Sequence, residues 1–268
     1  MKRWIDLGRV ALRYELTDPR PGTEGATTLV LVHEMGGTLD SWDGVLPALA
    51  ERRRVLRYDT RGAGQSEKIT GAISFDDMVD DLTALLDALA ITGKVALAGT
   101  AVGAGIALHF AARHPARAAC VIATSPASGL PPERRAAGLT RADDTERQGM
   151  RAMVEASFAA SYPPATRTDQ ATYETFRARW IANVPSSYAA IYRMLVNADI
   201  EAGFGRIACP VLIVGGTQDL VRPPAVAQAV AGKIPAARFG ELDSGHFMAV
   251  QAPGKVAKLF NAFLASAE

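Results

Sequence analysis

The apolar positions of this chain follow two alternating rhythms. Short runs rich in β-branched and aliphatic residues end in polar loops: "TTLVLVH" (27–33), "RVLRYD" (54–59), "KVALAG" (94–99), "AACVIATSP" (118–126) and "CPVLIVGG" (209–216). Such runs predict strands buried on both faces, whereas "VALRYELT" (10–17) alternates as a half-exposed strand does. Between them lie longer stretches with helical spacing. In "FDDMVDDLTALLDALAI" (75–91), Met78, Leu82, Leu85, Leu86 and Leu89 form one stripe, which predicts an amphipathic helix. "VGAGIALHFAARHP" (102–115) predicts a second helix, stopped at Pro115.

The alternation breaks after Ser125. From Leu130 to Gly205 the patterns are helical only, separated by "PASGLPP", "SYPPAT" and "NVPSS". Strand and helix then alternate again through "CPVLIVGG", "PAVAQAVAGKI", "ARFGELD" and "GKVAKLFNAFLA". Alternating β and α units predict an α/β fold with a mostly parallel sheet flanked by helices. The middle stretch is too long and too patterned for a loop, so it is expected to be a helical insertion. The expected division is a core of residues 1–129 and 206–268, with a helical cap of residues 130–205.

Composition narrows the function classes. The 268 residues are about half apolar, and the net charge is +1. That balance gives no electrostatic pull toward nucleic acid or an anionic membrane. The arginine groups at 52–54 and 134–135 lack interleaved aromatics and read as solvated faces. The two cysteines, Cys120 and Cys209, stand far apart without a CxxC, so free thiols are expected and a metal site is not. No apolar run reaches the roughly 18 residues of a membrane span, and the first ten residues lack a signal-peptide core. A cytoplasmic protein is expected. Its partners are expected to be a small-molecule substrate and at most a second copy of the chain as a homodimer, with no nucleic acid and no membrane.

In parallel sheets, chemistry collects beyond the carboxyl ends of the strands. Those ends here carry His33-Glu34-Met35-Gly36-Gly37, Asp59-Thr60-Arg61-Gly62, Gly99-Thr100-Ala101-Val102-Gly103, Gly215-Gly216-Thr217-Gln218-Asp219 and Asp243-Ser244-Gly245-His246. In this order they resemble the α/β-hydrolase superfamily over essentially the whole chain. The final third looks most like the branch of 3-oxoadipate enol-lactonases and small esterases. The resemblance implies a nucleophile position at Ala101, an acid at Asp219 and a base at His246. It further implies an oxyanion hole from the backbone N–H groups of Met35 and Val102, and no cofactor. His33 is expected as a structural hydrogen-bonding residue and Ser125 as a pocket residue. Asp59 and Arg61 are expected to hold neighbouring backbone.

Two residues depart from that pattern. Ala101 has no hydroxyl, which excludes a covalent intermediate through this position. Thr100 should point back into the sheet, so it is no substitute. Three readings stay open: an engineered Ser-to-Ala change, a native site in which the His246–Asp219 pair activates water or removes a substrate proton, and a site that binds without turnover. The second departure is Glu34, where the family commonly has glycine. It is expected to face solvent or accept hydrogen bonds from loop amides; the sharper reading is a carboxylate at the rim of the site. Of the insertion, Met150, Trp180 and Tyr188 are pocket candidates. Among Arg134, Arg135, Arg147 and Arg151 one carboxylate anchor is conceivable, although a solvated face is the commoner meaning. The expected activity is hydrolysis of a small ester, lactone or C–C (ketone) substrate. The rivals are a cofactor-independent lyase, isomerase or oxygenase using the same pair as a base, and a non-catalytic small-ligand binding protein. "GAGQS" lacks a P-loop lysine and "GTAVGAG" lacks a dinucleotide fingerprint.

Overall fold

In the computed structural model of the chain, which describes residues 1–19, 27–235 and 237–267, eight strands form one sheet. They are β1 (Arg3–Asp6), β2 (Ala11–Thr17), β3 (Leu29–Val32), β4 (Val55–Tyr58), β5 (Val95–Thr100), β6 (Ala118–Thr124), β7 (Val211–Gly216) and β8 (Ala237–Leu242). Their order across the sheet is β1-β2-β4-β3-β5-β6-β7-β8. The β1–β2 and β2–β4 pairs are antiparallel; every other pair is parallel. The fold is therefore α/β, as the alternation predicts. Strand β1 was not expected from the sequence. It is a short edge strand whose Trp4 is 60% exposed, so it carries no buried run to detect.

The helices are α1 (Leu46–Leu49), α2 (Phe75–Ala88), α3 (Val102–Arg113), α4 (Pro132–Gln148), α5 (Met150–Ser161), α6 (Gln170–Ile181), α7 (Pro185–Asn197), α8 (Pro224–Ala231), α9 (Met248–Gln251) and α10 (Pro253–Ala267). Successive side chains of a strand point to opposite faces, and both faces of this sheet are covered. Val30, Val32, Val95 and Leu97 join one core with α2 and α3. Leu29, Leu31, Ala96 and Ala98 join the other with Trp42, Val256 and Phe260. Helix α2 begins at a capping box in which Ser74 and Asp77 satisfy each other's backbone N–H groups. Its Met78, Val79, Leu82, Leu85 and Leu86 then bury against the sheet, while Leu89 is only partly buried.

Helices α4 to α7 lie between β6 and β7 in the chain and contain no strand. They carry a third apolar cluster that includes Met150, Phe158, Tyr162, Phe176, Trp180 and Tyr188. Phe247 of the core completes it, with its ring centroid 4.7 Å from that of Phe176. The insertion is thus seated on the residue that follows His246.

Helix α3 approaches the sheet closely where glycine leaves room. A Cβ on Gly103 would lie 2.2 Å from the Val32 carbonyl oxygen and 2.4 Å from that of His33. A Cβ on Gly99 would lie 2.4 Å from the Gly103 carbonyl carbon. Neither neighbour is a side chain that can turn aside. Gly103→Ala is therefore expected to destabilise the protein by about 3 kcal/mol, as other overpacked cores are. Urea denaturation would measure it, and an unchanged midpoint would contradict the close contact.

Candidate active site

The turn from β5 into α3 holds Ala101 at φ 53° and ψ −114°, a left-handed conformation that a residue with a Cβ rarely adopts. Such geometry costs roughly 1–3 kcal/mol and persists only when its surroundings fix it. Three backbone hydrogen bonds do so. Ala101 N–H donates to the Thr124 carbonyl at 2.9 Å, and the Ala101 carbonyl accepts from Ala127 at 2.9 Å and Gly105 at 3.1 Å. The strained turn thus exists without a nucleophile on it. Thr100 does point back into the sheet, where its hydroxyl accepts from Thr124 at 2.8 Å.

Asp219, beyond β7, and His246, beyond β8, meet across 27 residues of sequence. Asp219 Oδ2 lies 2.7 Å from His246 Nδ1. The same oxygen accepts from the Ser125 hydroxyl at 2.7 Å, and Oδ1 accepts the N–H groups of Val221 and Arg222 at 2.8 and 2.9 Å. Asp219 is at once a turn residue and the partner of the histidine. Burial pushes its carboxyl up, but the His246 ring, the Arg222 N–H and the Ser125 hydroxyl outweigh burial and hold it below the ordinary carboxylate value. His246 Nε2 has no hydrogen-bond partner among the described residues. Ser125, expected as a pocket residue, is fastened to Asp219. Its own backbone is left-handed at φ 44°, and its N–H donates to Val214 at 2.8 Å.

The backbone N–H groups of Met35 and Val102 likewise have no partner among the described residues. Val102 opens helix α3, where a free N–H and the helix dipole favour negative charge. The chain around Met35 is held from both sides. His33 Nε2 accepts the Thr60 N–H at 3.0 Å, which leaves the ring proton on Nδ1 to donate to the Glu34 carbonyl at 2.7 Å. Asp59 accepts the N–H groups of Leu39 and Gln65, and Arg61 pairs with Asp81.

Glu34 departs from its expectation. It does not face solvent, being 1% exposed, and its carboxylate accepts from the Ser41 hydroxyl at 2.6 Å rather than from loop amides. Gly37 leaves room for it, since a Cβ there would lie 2.0 Å from Glu34 Oε1. The carboxylate fastens the loop after β3 to the short helical turn at Leu39–Trp42.

The insertion covers these groups, leaving Ala101 6% and His246 7% exposed. Trp180 and Tyr188 press on Gly36, where a Cβ would meet their rings at 2.4 and 3.2 Å. Asn183 donates to the Gly36 carbonyl at 2.8 Å. Met150 is buried in the same cluster. Of the arginines singled out from sequence, Arg147 pairs with Asp144, Arg135 donates to the Leu130 carbonyl, and Arg134 is exposed. Two tethers had no signal in the sequence. The last carbonyls of α5 accept from the loops that carry Asp219 and His246: Ala160 from Leu220 at 3.2 Å and Ser161 from His246 at 3.0 Å. Gln251 accepts the Phe247 N–H at 2.8 Å and donates to Thr166 at 2.7 Å.

Comparisons with known proteins bear on the fold and the family. The Hydrolase_4 family model, described as serine aminopeptidase, S33, matches residues 23–240. A 3-oxoadipate enol-lactonase of Acinetobacter baylyi is 26% identical over 248 residues, covering 91% of each chain. Among solved structures, a thermophilic esterase from Thermogutta terrifontis superposes with a TM-score of 0.90 at 25% identity, over 100% of this chain and 99% of that one. The enol-lactonase from Burkholderia xenovorans does so with a TM-score of 0.89 at 27% identity, over 98% and 100%. Among the described residues no helix is long and apolar enough to cross a membrane, and no group of three or more metal-ligating side chains occurs.

Because the Asp219 carboxyl is held below its unfolded value, it adds stability above the ordinary carboxylate range near pH 4, and that stability is lost as pH falls through the lower folded value. Asp219→Asn should therefore cost about 1–3 kcal/mol near pH 7 and progressively less toward pH 3. Denaturant titrations of both proteins across that range would show it, and a pH-independent gap would contradict the depressed carboxyl.

Proposed function

The chain belongs to the Hydrolase_4 (serine aminopeptidase, S33) family, and from that premise we propose that it hydrolyses a small ester or lactone by activating water directly. The observation that carries the proposal is the combination at the elbow. The chain combines a strained turn at Ala101, which offers no nucleophile, with two free N–H groups and a paired histidine whose Nε2 is open. A relative named for enol-lactone chemistry and a structural neighbour described as an esterase support an ester or lactone carbonyl as the target.

In this reading Asp219 fixes the ring of His246 with the proton on Nδ1, leaving Nε2 as general base. A water beside the Ala101 methyl gives one proton to Nε2 as its oxygen bonds to the carbonyl carbon. The carbonyl π electrons move onto oxygen, where the Met35 and Val102 N–H groups stabilise the charge. The tetrahedral species collapses, the C–O bond to the alcohol breaks, and His246 returns the proton to the leaving oxygen. One ester and one water become one acid and one alcohol. The depressed Asp219 carboxyl supports this cycle, because it remains ionised while the imidazole gains its proton. The insertion acts as a cap, its aromatic rings giving an apolar cover that excludes bulk water.

The protein as it stands should release p-nitrophenol from p-nitrophenyl acetate, and His246→Ala should lose that turnover by roughly two to four orders of magnitude. Ala101→Ser should add a site that fluorophosphonate probes label. An alanine form that is inert, while the serine form is active and labelled, would replace water activation by an ordinary serine mechanism. Inertness of both forms would overturn the hydrolase reading.

A further inference from the structure

Met35 is the second residue of a turn over residues 34–37. The Gly37 N–H donates to the Glu34 carbonyl at 3.0 Å, and Gly36 between them takes a left-handed φ of 84°. The same carbonyl accepts from His33 Nδ1 at 2.7 Å. The Glu34 carbonyl and the Met35 N–H belong to one planar trans peptide unit, so they point in opposite directions. Two hydrogen bonds that hold the carbonyl within the turn therefore aim the N–H away from it, and there it has no partner among the described residues.

The aim of that N–H depends on the turn keeping its shape. Two of the four turn residues are glycine, which restrains the backbone least. The Glu34 side chain supplies the missing restraint. Its carboxylate lies against Gly37, where a Cβ would stand 2.0 Å from Oε1, and it accepts from the Ser41 hydroxyl at 2.6 Å. Ser41 is itself anchored, because its N–H donates to the Thr38 carbonyl at 2.9 Å and Asp59 holds the adjacent Leu39 N–H at 2.7 Å. Glu34 is 1% exposed, and the bond to Ser41 is its one side-chain hydrogen bond among the described residues. A buried carboxylate with a single hydroxyl partner costs free energy. Stability alone does not account for it. What the carboxylate adds is a second closure of the turn, made by the residue whose carbonyl already sets the direction of the Met35 N–H.

We propose that Glu34 is a positioning residue for the oxyanion hole. Its strap to Ser41 holds the 34–37 turn so that the Met35 N–H stays directed at the charge developing on the substrate carbonyl. The carboxylate itself touches no reacting atom. This role rests on the ester-hydrolase reading above, with Met35 as one of the two donors, but the strap can be tested apart from turnover.

The test uses two probes. Hydrolysis of p-nitrophenyl acetate gives kcat and KM, and calorimetry gives the binding of p-nitrophenyl methylphosphonate, a tetrahedral anion that resembles the charged intermediate. Glu34→Ala should lower kcat by roughly ten- to a hundredfold with KM little changed, somewhat less than the loss of an oxyanion donor itself. It should weaken phosphonate binding by a similar factor. Glu34→Gln keeps an oxygen that accepts from Ser41 and should retain most of the turnover and of the phosphonate binding. Unchanged kcat and phosphonate binding in Glu34→Ala, a loss carried by KM, or a glutamine variant as impaired as the alanine one would overturn the proposal. If Glu34→Ala does not fold, Ser41→Ala opens the strap from its other end and carries the same expectations and the same refutation. Phosphonate binding that falls in Glu34→Ala and survives in Glu34→Gln, without ester turnover by any form, would leave the strap standing and remove the ester-hydrolase reading. Turnover that is lost in His246→Ala but untouched in Glu34→Ala would do the reverse, and absence of both turnover and phosphonate binding would remove both.

Discussion

The contact between the first turn of α3 and the end of β3, where Gly103 meets the carbonyls of Val32 and His33, sets the geometry of everything above the sheet. It brings the opening of a helix directly beside the exit of a strand. The two free N–H groups then come from the two sides of one contact, Val102 on the helix and Met35 two residues past His33. The same contact forces the connecting residue into a conformation that a side chain resists. That Ala101 accepts this strain without carrying a nucleophile says that the backbone arrangement is maintained by its own hydrogen bonds. It does not depend on the chemistry of the side chain placed there.

Charge is organised around one carboxylate. Asp219 receives hydrogen bonds on both oxygens, from the chain that follows it and from Ser125 at the end of the neighbouring strand β6. A carboxylate so surrounded stays ionised despite burial, and it orients an imidazole whose far nitrogen is left open. Glu34 on Ser41 and His33 on Thr60 form local straps in the loops nearby.

Much of this was legible because it is periodic or ordered. The buried strands β3 to β7 announce themselves as unbroken apolar runs, and the α2 stripe as helical spacing. The order elbow, acid, histidine singled out Ala101, Asp219 and His246, and the last two are in contact. What sequence hid has little local pattern. β1 is too short and exposed, and nothing near Glu34 reveals that Ser41 waits for its carboxylate. The Ser125–Asp219 bond spans 94 positions.

The end of α5 adds a constraint of another kind. Its terminal carbonyls, which a helix cannot satisfy internally, are satisfied by the very loops that carry Asp219 and His246. The insertion is therefore joined to the sheet's loops both by α5, which meets the loops after β7 and β8, and by α6 and α7, which rest on Gly36 through aromatic faces and one amide bond. Shortening α5 would therefore strip an acceptor from the Leu220 N–H and from the His246 N–H at once, which no single substitution in either loop would do.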